Sequence, residues 1–415
     1  MVREGRIFMA SGRNWKLIVG TIIATCLSGA TVIYSPAVAS VQSTFNVAPD
    51  VLSSMLSLAA IANLVGALVA GLLQRFIAQR VVIILAAALA LVGAAPLFIS
   101  NSFTVVYVAL MTCNVGMGIM GATSQSYISL HFDGDQRGEV MAWRTSAQGL
   151  SNVALSAGAG VLTAITWYYC FGLYLVFAVS LLAAVILLPS EPPFHKEEKK
   201  AEKAAGAPVN VQEHGRKLTS WTTIMFLLLI TATTFLECGI YNYISIHAEA
   251  NNLGGSVAAG MTISAYQAGL IVSGILAPFV FKMAKQRTLI VAYTLDLIGY
   301  VLIFIAPTAI VLFIGAFLCG MTYGIATTRI GVLVAESVRP SQIPTVFSLF
   351  QVFGAGGYIV GAPIFSAITG MMPGLMSSNV YLIGIVFAAC IIAVVLFTGI
   401  ERRAVLPVAN AAEAA

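Results

Sequence analysis

PSEPPFHKEEKKAEKAAGAPVNVQEHGRK, residues 189–217, is the one long polar interruption inside an apolar chain. It is rich in Lys, Glu and Ala, punctuated by Pro, and holds too little apolar surface to offset the entropy of ordering it. Everything around it is the opposite. Of the 415 residues 59% are apolar and only 9% charged, with a mean hydropathy of +0.94. Such a chain would expose far too much hydrocarbon in water, so its solvent is a bilayer. Roughly 20 apolar residues cross the hydrocarbon core as a helix. The chain on each side of the interruption is long enough for six crossings.

Apolar runs predict helices at about 17–39, 52–74, 81–100, 103–128, 139–162 and 167–189, then at about 220–246, 258–281, 288–306, 309–335, 343–369 and 379–399. Barrel strands are excluded, because the runs are twice the length such a strand needs and do not alternate. The expected organisation is an N-terminal tail over 1–16, a six-helix half over 17–189, a linker over 190–219, a second six-helix half over 220–399 and a tail over 400–415. The basic start, MVREGRIFMASGRNWK, leads into an apolar run with no small-residue cleavage site, which predicts a retained first span.

The 21 Lys and Arg orient this pattern. Arg3, Arg6, Arg13 and Lys16 precede helix 1, Arg75 and Arg80 follow helix 2, and Arg137 follows helix 4. Six more lie in the linker, Lys282, Lys285 and Arg287 follow helix 8, and Arg339, Arg402 and Arg403 close the set. All of these fall on one side of a twelve-span topology. By the positive-inside rule that side is the cytoplasm, and both termini are inside. The net charge of +5 is therefore matched to anionic headgroups rather than to nucleic acid. The lipid bilayer is the expected partner, and a monomer is expected.

The two halves carry a faint internal repeat. At an offset of about 204 residues, Gly116-Met117 falls on Gly320-Met321, Ala122-Thr123-Ser124 on Ala326-Thr327-Thr328, and Gln125 on Arg329. Six cysteines lie in or beside apolar runs without a CxxC, and the four histidines form no cluster, so neither metal nor cofactor is expected.

With six plus six spans, inside termini and a long basic middle loop, the chain resembles the major facilitator superfamily over about residues 15–400. The joint DGDQRGEVMAW and the glycine-rich runs GLSNVALSAGAG in helix 5 and GAGGYIVGAP in helix 11 fit the resemblance. The family's loop after helix 2 usually reads Gly, three residues, Asp-Arg, one residue, Gly. Here AGLLQRFIAQR has Ala70, Gln74 and Ile77 at those Gly, Asp and Gly places, and keeps Arg75 and Arg80. The matching loop after helix 8 is only KMAKQR. The resemblance implies an alternating-access carrier in which helices 1, 4, 7 and 10 line a central cavity.

Charges inside spans are the sharpest signal, since each costs at least a few kcal/mol unless it is paired or faces water. There are four: Arg144, Glu237, Asp296 and Arg329. Glu237 falls about 25 Å along helix 7, beside Tyr241, Asn242 and Tyr243. It is the expected proton-coupling carboxyl, with a plain hydrogen bond to a Tyr or to His247 as the bland reading. Arg329 and Arg144 come from opposite halves at similar depth and could clamp a carboxylate, a geometry guanidinium favours. Against that, Arg329 could instead pair with Asp296, and Arg144 could snorkel to headgroups. Gln125 and Gln267, with Asn114, Gln148, Asn152 and Gln351, complete a possible polar lining.

No GxxxxGK, HExxH or GxSxG occurs, so ATP-driven transport and intramembrane hydrolysis lack their parts. The sequence thus reads as a secondary active transporter for a small organic anion, with protons as a further partner. Two alternatives stand beside it: proton-driven efflux of apolar or cationic compounds, and a non-transporting sensor or scaffold on a carrier fold. As a multi-pass protein it is expected in the plasma membrane.

Overall fold

The computed structural model describes residues 14–34, 44–46, 49–98, 102–189, 218, 220–253, 255–369, 371 and 376–402. The N-terminal tail, the body of the linker and the C-terminal tail expected from the sequence lie outside the described residues. Helices account for nearly everything described. They are α1 Trp15–Thr25, α2 Pro49–Phe76, α3 Gln79–Ala94, α4 Phe103–His131, α5 Gly134–Ile165 and α6 Phe177–Leu187. After the linker come α7 Trp221–Ala250, α8 Gly255–Ala284, α9 Thr288–Ile305, α10 Ala309–Ser337, α11 Ile343–Thr369 and α12 Met376–Thr398. Among the described residues nine stretches are long and apolar enough to cross a membrane, and one of them, Gly260–Ile305, contains both α8 and α9.

Three spans depart from the α-helix the apolar pattern predicts, the third only at its end, where Ala95–Phe98 is a 3-10 helix; the other two depart over longer stretches. Helix α1, started by Asn14 accepting the Leu17 N–H at 3.2 Å, gives way to a 3-10 helix over Cys26–Ile33. Span 6 opens as a 3-10 helix over Trp167–Val176. The second has a visible cause. At three residues per turn, i and i+3 side chains eclipse, and Phe171, Tyr174 and Phe177 stack in one column with ring centroids 6.3 and 5.9 Å apart and planes tilted by only 9° and 16°.

The contacts divide the chain into two units. The first holds the described residues up to Asp133, those from Ser151 to 189, and the start of α11 over Pro340–Gln351. Within it α4 is central, packed against α2 and α3. The second holds Gly134–Leu150 of α5, then α7 to α10, α11 from Val352, and α12. Within it α10 is central, packed against α8 and α9.

Lipid gives helices no hydrophobic drive to associate, so backbones must approach closely to gain van der Waals contact. Gly118 lies against α2 so tightly that a Cβ would sit 1.9 Å from the Asn63 carbonyl oxygen; at Gly320 it would sit 1.9 Å from that of Tyr266 on α8. This seam repeats at an offset of 202 residues on the central helix. On the other side of the same helices, Cys113 bonds the Ala90 carbonyl of α3 at 3.2 Å and Cys319 meets the Asp296 carbonyl of α9 at 3.9 Å, an offset of 206. The two seams therefore differ by one helical turn. The sequence offset of about 204 averages them and matches neither.

At the inner end of the first unit, Gln74 is buried, and its amide donates to Thr123 Oγ1 at 3.3 Å and accepts from Gln79 at 2.8 Å and from the Ser126 hydroxyl. Arg75 donates to Thr345 at 3.0 Å, and Arg80 to the carbonyls of Ala184 and Val185. Where the resembling family carries a charged Asp, this chain has a neutral amide network.

Candidate transport site

Helix α7 sets the site. At helical spacing Thr233, Glu237 and Tyr241 share one face, while Tyr243 turns to another. Glu237 and Asp296 line one small cavity together with Tyr266 of α8 and Cys319, Thr322 and Tyr323 of α10. The space suits about one water molecule or a small ion. Tyr266 stands beside the Glu237 carboxyl in this cavity, and its ring meets Tyr241 edge-on at 5.4 Å and Tyr323 at 6.3 Å. Gln267 donates to the Tyr241 hydroxyl at 2.9 Å, and its own carbonyl oxygen is buried with no hydrogen-bond partner among the described residues.

The walls are held by bonds that fix α7 to its neighbours. Thr233 shares a 2.7 Å hydrogen bond with the Tyr293 hydroxyl, and the Tyr300 hydroxyl bonds the Leu236 carbonyl. Thr322 donates to the Ala292 carbonyl at 2.8 Å, tying α10 to α9. Asp296 is 4% exposed, with its carboxyl facing the Cys319 thiol.

Of the residues singled out in the sequence, Glu237, Tyr241 and Gln267 come together here. Asn242 lies to the side, donating to Cys238 Sγ at 3.1 Å and accepting from Tyr358 at 3.5 Å. Tyr243 is not a lining residue. It packs in an apolar cluster with Phe235 and Val380, its ring edge-on to Phe365 at 5.9 Å. Each residue turns the helix by about 100°, so Tyr243, two residues after Tyr241, points about 200° away from it. His247 is also elsewhere, bonded at 3.1 Å to the Ile303 carbonyl, and the tyrosine beside Glu237 comes from α8. Gln125, on α4 in the first unit, keeps its side-chain oxygen buried without a hydrogen-bond partner among the described residues.

The two arginines separate. Arg144, on the part of α5 that belongs to the second unit, is 6% exposed and lies within electrostatic reach of Tyr323, as Glu237 does. Arg329 points the other way. Its Nε donates to Glu401 Oε1 at 2.9 Å and its terminal nitrogen to the Lys285 carbonyl at 3.1 Å. The alternative partner weighed for Arg329, Asp296, gives way to Glu401. The reason is reach: Arg329 is long enough to extend down α10 to the helix ends, where a better partner waits. Gly399, at φ +54, ends α12 in the left-handed conformation that glycine adopts without strain. The turn that follows brings Glu401, 2% exposed, under α10 and onto the first turn of α9, where its second oxygen accepts the Leu289 N–H at 3.0 Å. Burial holds the Glu401 carboxyl above the ordinary range, and Arg329 and the Leu289 N–H pull it back.

The sequence reading missed Glu401, Tyr266 and Tyr323. Glu401 lies beyond the last apolar run, where no periodicity marks it. The two tyrosines are ordinary apolar-helix letters, and only their position against Glu237 gives them a role. Among the described residues no group of His, Cys, Asp and Glu could hold a metal ion.

Comparison with known proteins gives a consistent result. A family model described as Major Facilitator Superfamily matches residues 20–362. No match is found among curated protein sequences. Among solved structures the chain is similar to FucP, the E. coli fucose:proton symporter, in its outward conformation, with a TM-score of 0.69 and 12% identity over 94% of this chain and 97% of that one. It is similar to the human organic anion transporter MFSD10, with a TM-score of 0.66 and 14% identity over 90% and 99%. The proton:xylose symporter XylE gives 0.66 and 16% over 91% and 95%. At these identities the likeness is one of fold. The family match covers most of the chain, and its apolar helices make it a multi-pass integral membrane protein of the plasma membrane: the chain belongs to the Major Facilitator Superfamily of transporters.

Proposed function

We propose that this chain carries a small organic anion by alternating access and couples the movement to protons through Glu237. The observation that supports this is the setting of Glu237: a carboxyl beside one tyrosine, Tyr266, in a small cavity within the helices, with Arg144 and Glu237 both acting on a second, Tyr323. A carboxyl so placed is neutral when it holds a proton and can release it when the cavity opens to a less acidic side. Arg144 keeps its charge in every state and presents the two-pronged donor that suits a carboxylate. Arg329 drops out of the anion clamp, because Glu401 occupies it.

A second reading has its own support. Two carboxyls and three tyrosines, Tyr241, Tyr266 and Tyr323, form a donor set suited to a cation, which favours proton-driven efflux of cationic compounds. Uptake into proteoliposomes separates the two readings. Labelled mono- and dicarboxylates should accumulate when the outside is more acidic than the lumen, and Glu237→Gln should keep solute counterflow while losing that accumulation. Accumulation of organic cations instead, with carboxylates excluded, would reject the anion reading. Unchanged pH-driven accumulation in Glu237→Gln would reject the proton role.

A further inference from the structure

The internal repeat isolates one residue that packing does not require. In the first unit, Cys113 of α4 bonds the carbonyl of Ala90 on α3. In the second, Cys319 of α10 meets the carbonyl of Asp296 on α9. The neighbours repeat as well: a Cβ on Gly93 would meet the Cys113 backbone, and one on Gly299 would meet the Cys319 sulfur, while Gly116 lies on Ala86 as Thr322 bonds Ala292. All of these correspond at the same offset of 206 residues. The seam thus closes with a fully buried alanine in one half and with a carboxyl, 4% exposed, in the other. A carboxyl in that place costs desolvation that alanine does not. Among the described residues it forms no salt bridge, and Arg329 is bound to Glu401 instead.

What the carboxyl gains is a shared cavity with Glu237. We infer that Asp296 is the second half of the coupling site, and that Glu237 and Asp296 hold one proton between them across this cavity. The inference rests on the proton role of Glu237 proposed above. The step balances: the O–H bond at Glu237 breaks as one forms at Asp296, directly or through a single water, and the pair carries one negative charge throughout. Two like charges in one small enclosed space do not both ionise readily, which makes the pair a unit rather than two sites. The titratable groups facing the pair are Tyr241 from α7 itself, Tyr266 from α8, Tyr293 and Tyr300 from α9, Cys319 and Tyr323 from α10 and Tyr358 from α11, with Tyr381 of α12 beyond Tyr300 and Arg144 of α5 a cation in reach of Tyr323.

The test needs no knowledge of the solute. Infrared difference spectra of the purified full-length protein, taken along a pH titration, read the carbonyl stretch of protonated carboxyls. The wild type should show two coupled steps for the cavity pair. Asp296→Asn should leave one step from Glu237, and Glu237→Gln one from Asp296, each displaced by about one pH unit or more from its wild-type position, the scale of coupling expected between such groups. Asp296→Glu should restore both steps. If either single variant leaves the other carboxyl titrating where it does in the wild type, sharing is refuted. Either variant alone decides the point should the other not fold. Failure of the underlying reading appears separately, as pH-driven accumulation that survives Glu237→Gln.

Discussion

Replacing Arg329 by Gln separates a ligand from a staple. In the structure Arg329 neutralises Glu401, which is only 2% exposed, through a 2.9 Å charge-assisted bond, while its own side chain is 14% exposed. Removing the arginine leaves a buried carboxylate whose remaining partner is the Leu289 N–H. Breaking a buried pair from one side costs about 3–5 kcal/mol, and for a unit of this size that corresponds to a fall in Tm of about 6–20 °C. Glu401→Gln should cost less, because Arg329 keeps the Lys285 carbonyl at 3.1 Å and part of its hydration. Replacing both, Arg329→Met with Glu401→Leu, should recover most of the loss, since apolar substitutes for a buried pair are often neutral.

The sign of the pH dependence follows from Glu401, whose carboxyl burial already raises. Without Arg329 it rises further. A raised folded-state value means the folded protein binds more protons, so stability falls as pH climbs from the ordinary Glu range to the folded value. Arg329→Gln should therefore be closer to wild type at mildly acid pH than at neutral pH. Thermal unfolding in detergent across that range, for the two singles and the double, measures all of this. Full thermal stability in Arg329→Gln combined with loss of carboxylate uptake would refute the staple and return Arg329 to the anion site.

Three further outcomes are expected. Gly320→Ala would drive a methyl to within 1.9 Å of the Tyr266 carbonyl and should cost about 1–3 kcal/mol or more by forcing α8 from α10, seen as a lower Tm; a neutral effect would contradict the close seam. Gly399→Ala has open space around it but a φ of +54, so its cost should be about 1 kcal/mol and conformational; a larger loss in the same thermal assay would mean the turn holds more than Glu401. Arg144→Gln should abolish carboxylate uptake while leaving the cavity titration in two steps, and retained uptake would remove Arg144 from the anion site.

The amino-acid sequence alone specifies the solvent, the class and the division of this protein. Apolar run length dictates membrane helices, and the long polar stretch at 189–217 marks the one extended break between them. Glu237 also stands out from sequence, because a carboxyl inside an apolar run is costly wherever it ends up. What sequence does not encode locally is partnership. Arg329 and Glu401 are 72 residues apart, and the pair exists because Gly399 turns the chain under α10. Tyr241 and Tyr243 look equivalent as letters, yet the helical period sends one against Tyr266 beside the cavity and the other into an apolar cluster. Asp296 gains its meaning only beside Ala90, once the packing of Cys113 and Cys319 shows that the same seam closes without a charge. A side chain's cost can be read from its own chemistry, whereas its use depends on what long-range folding places against it.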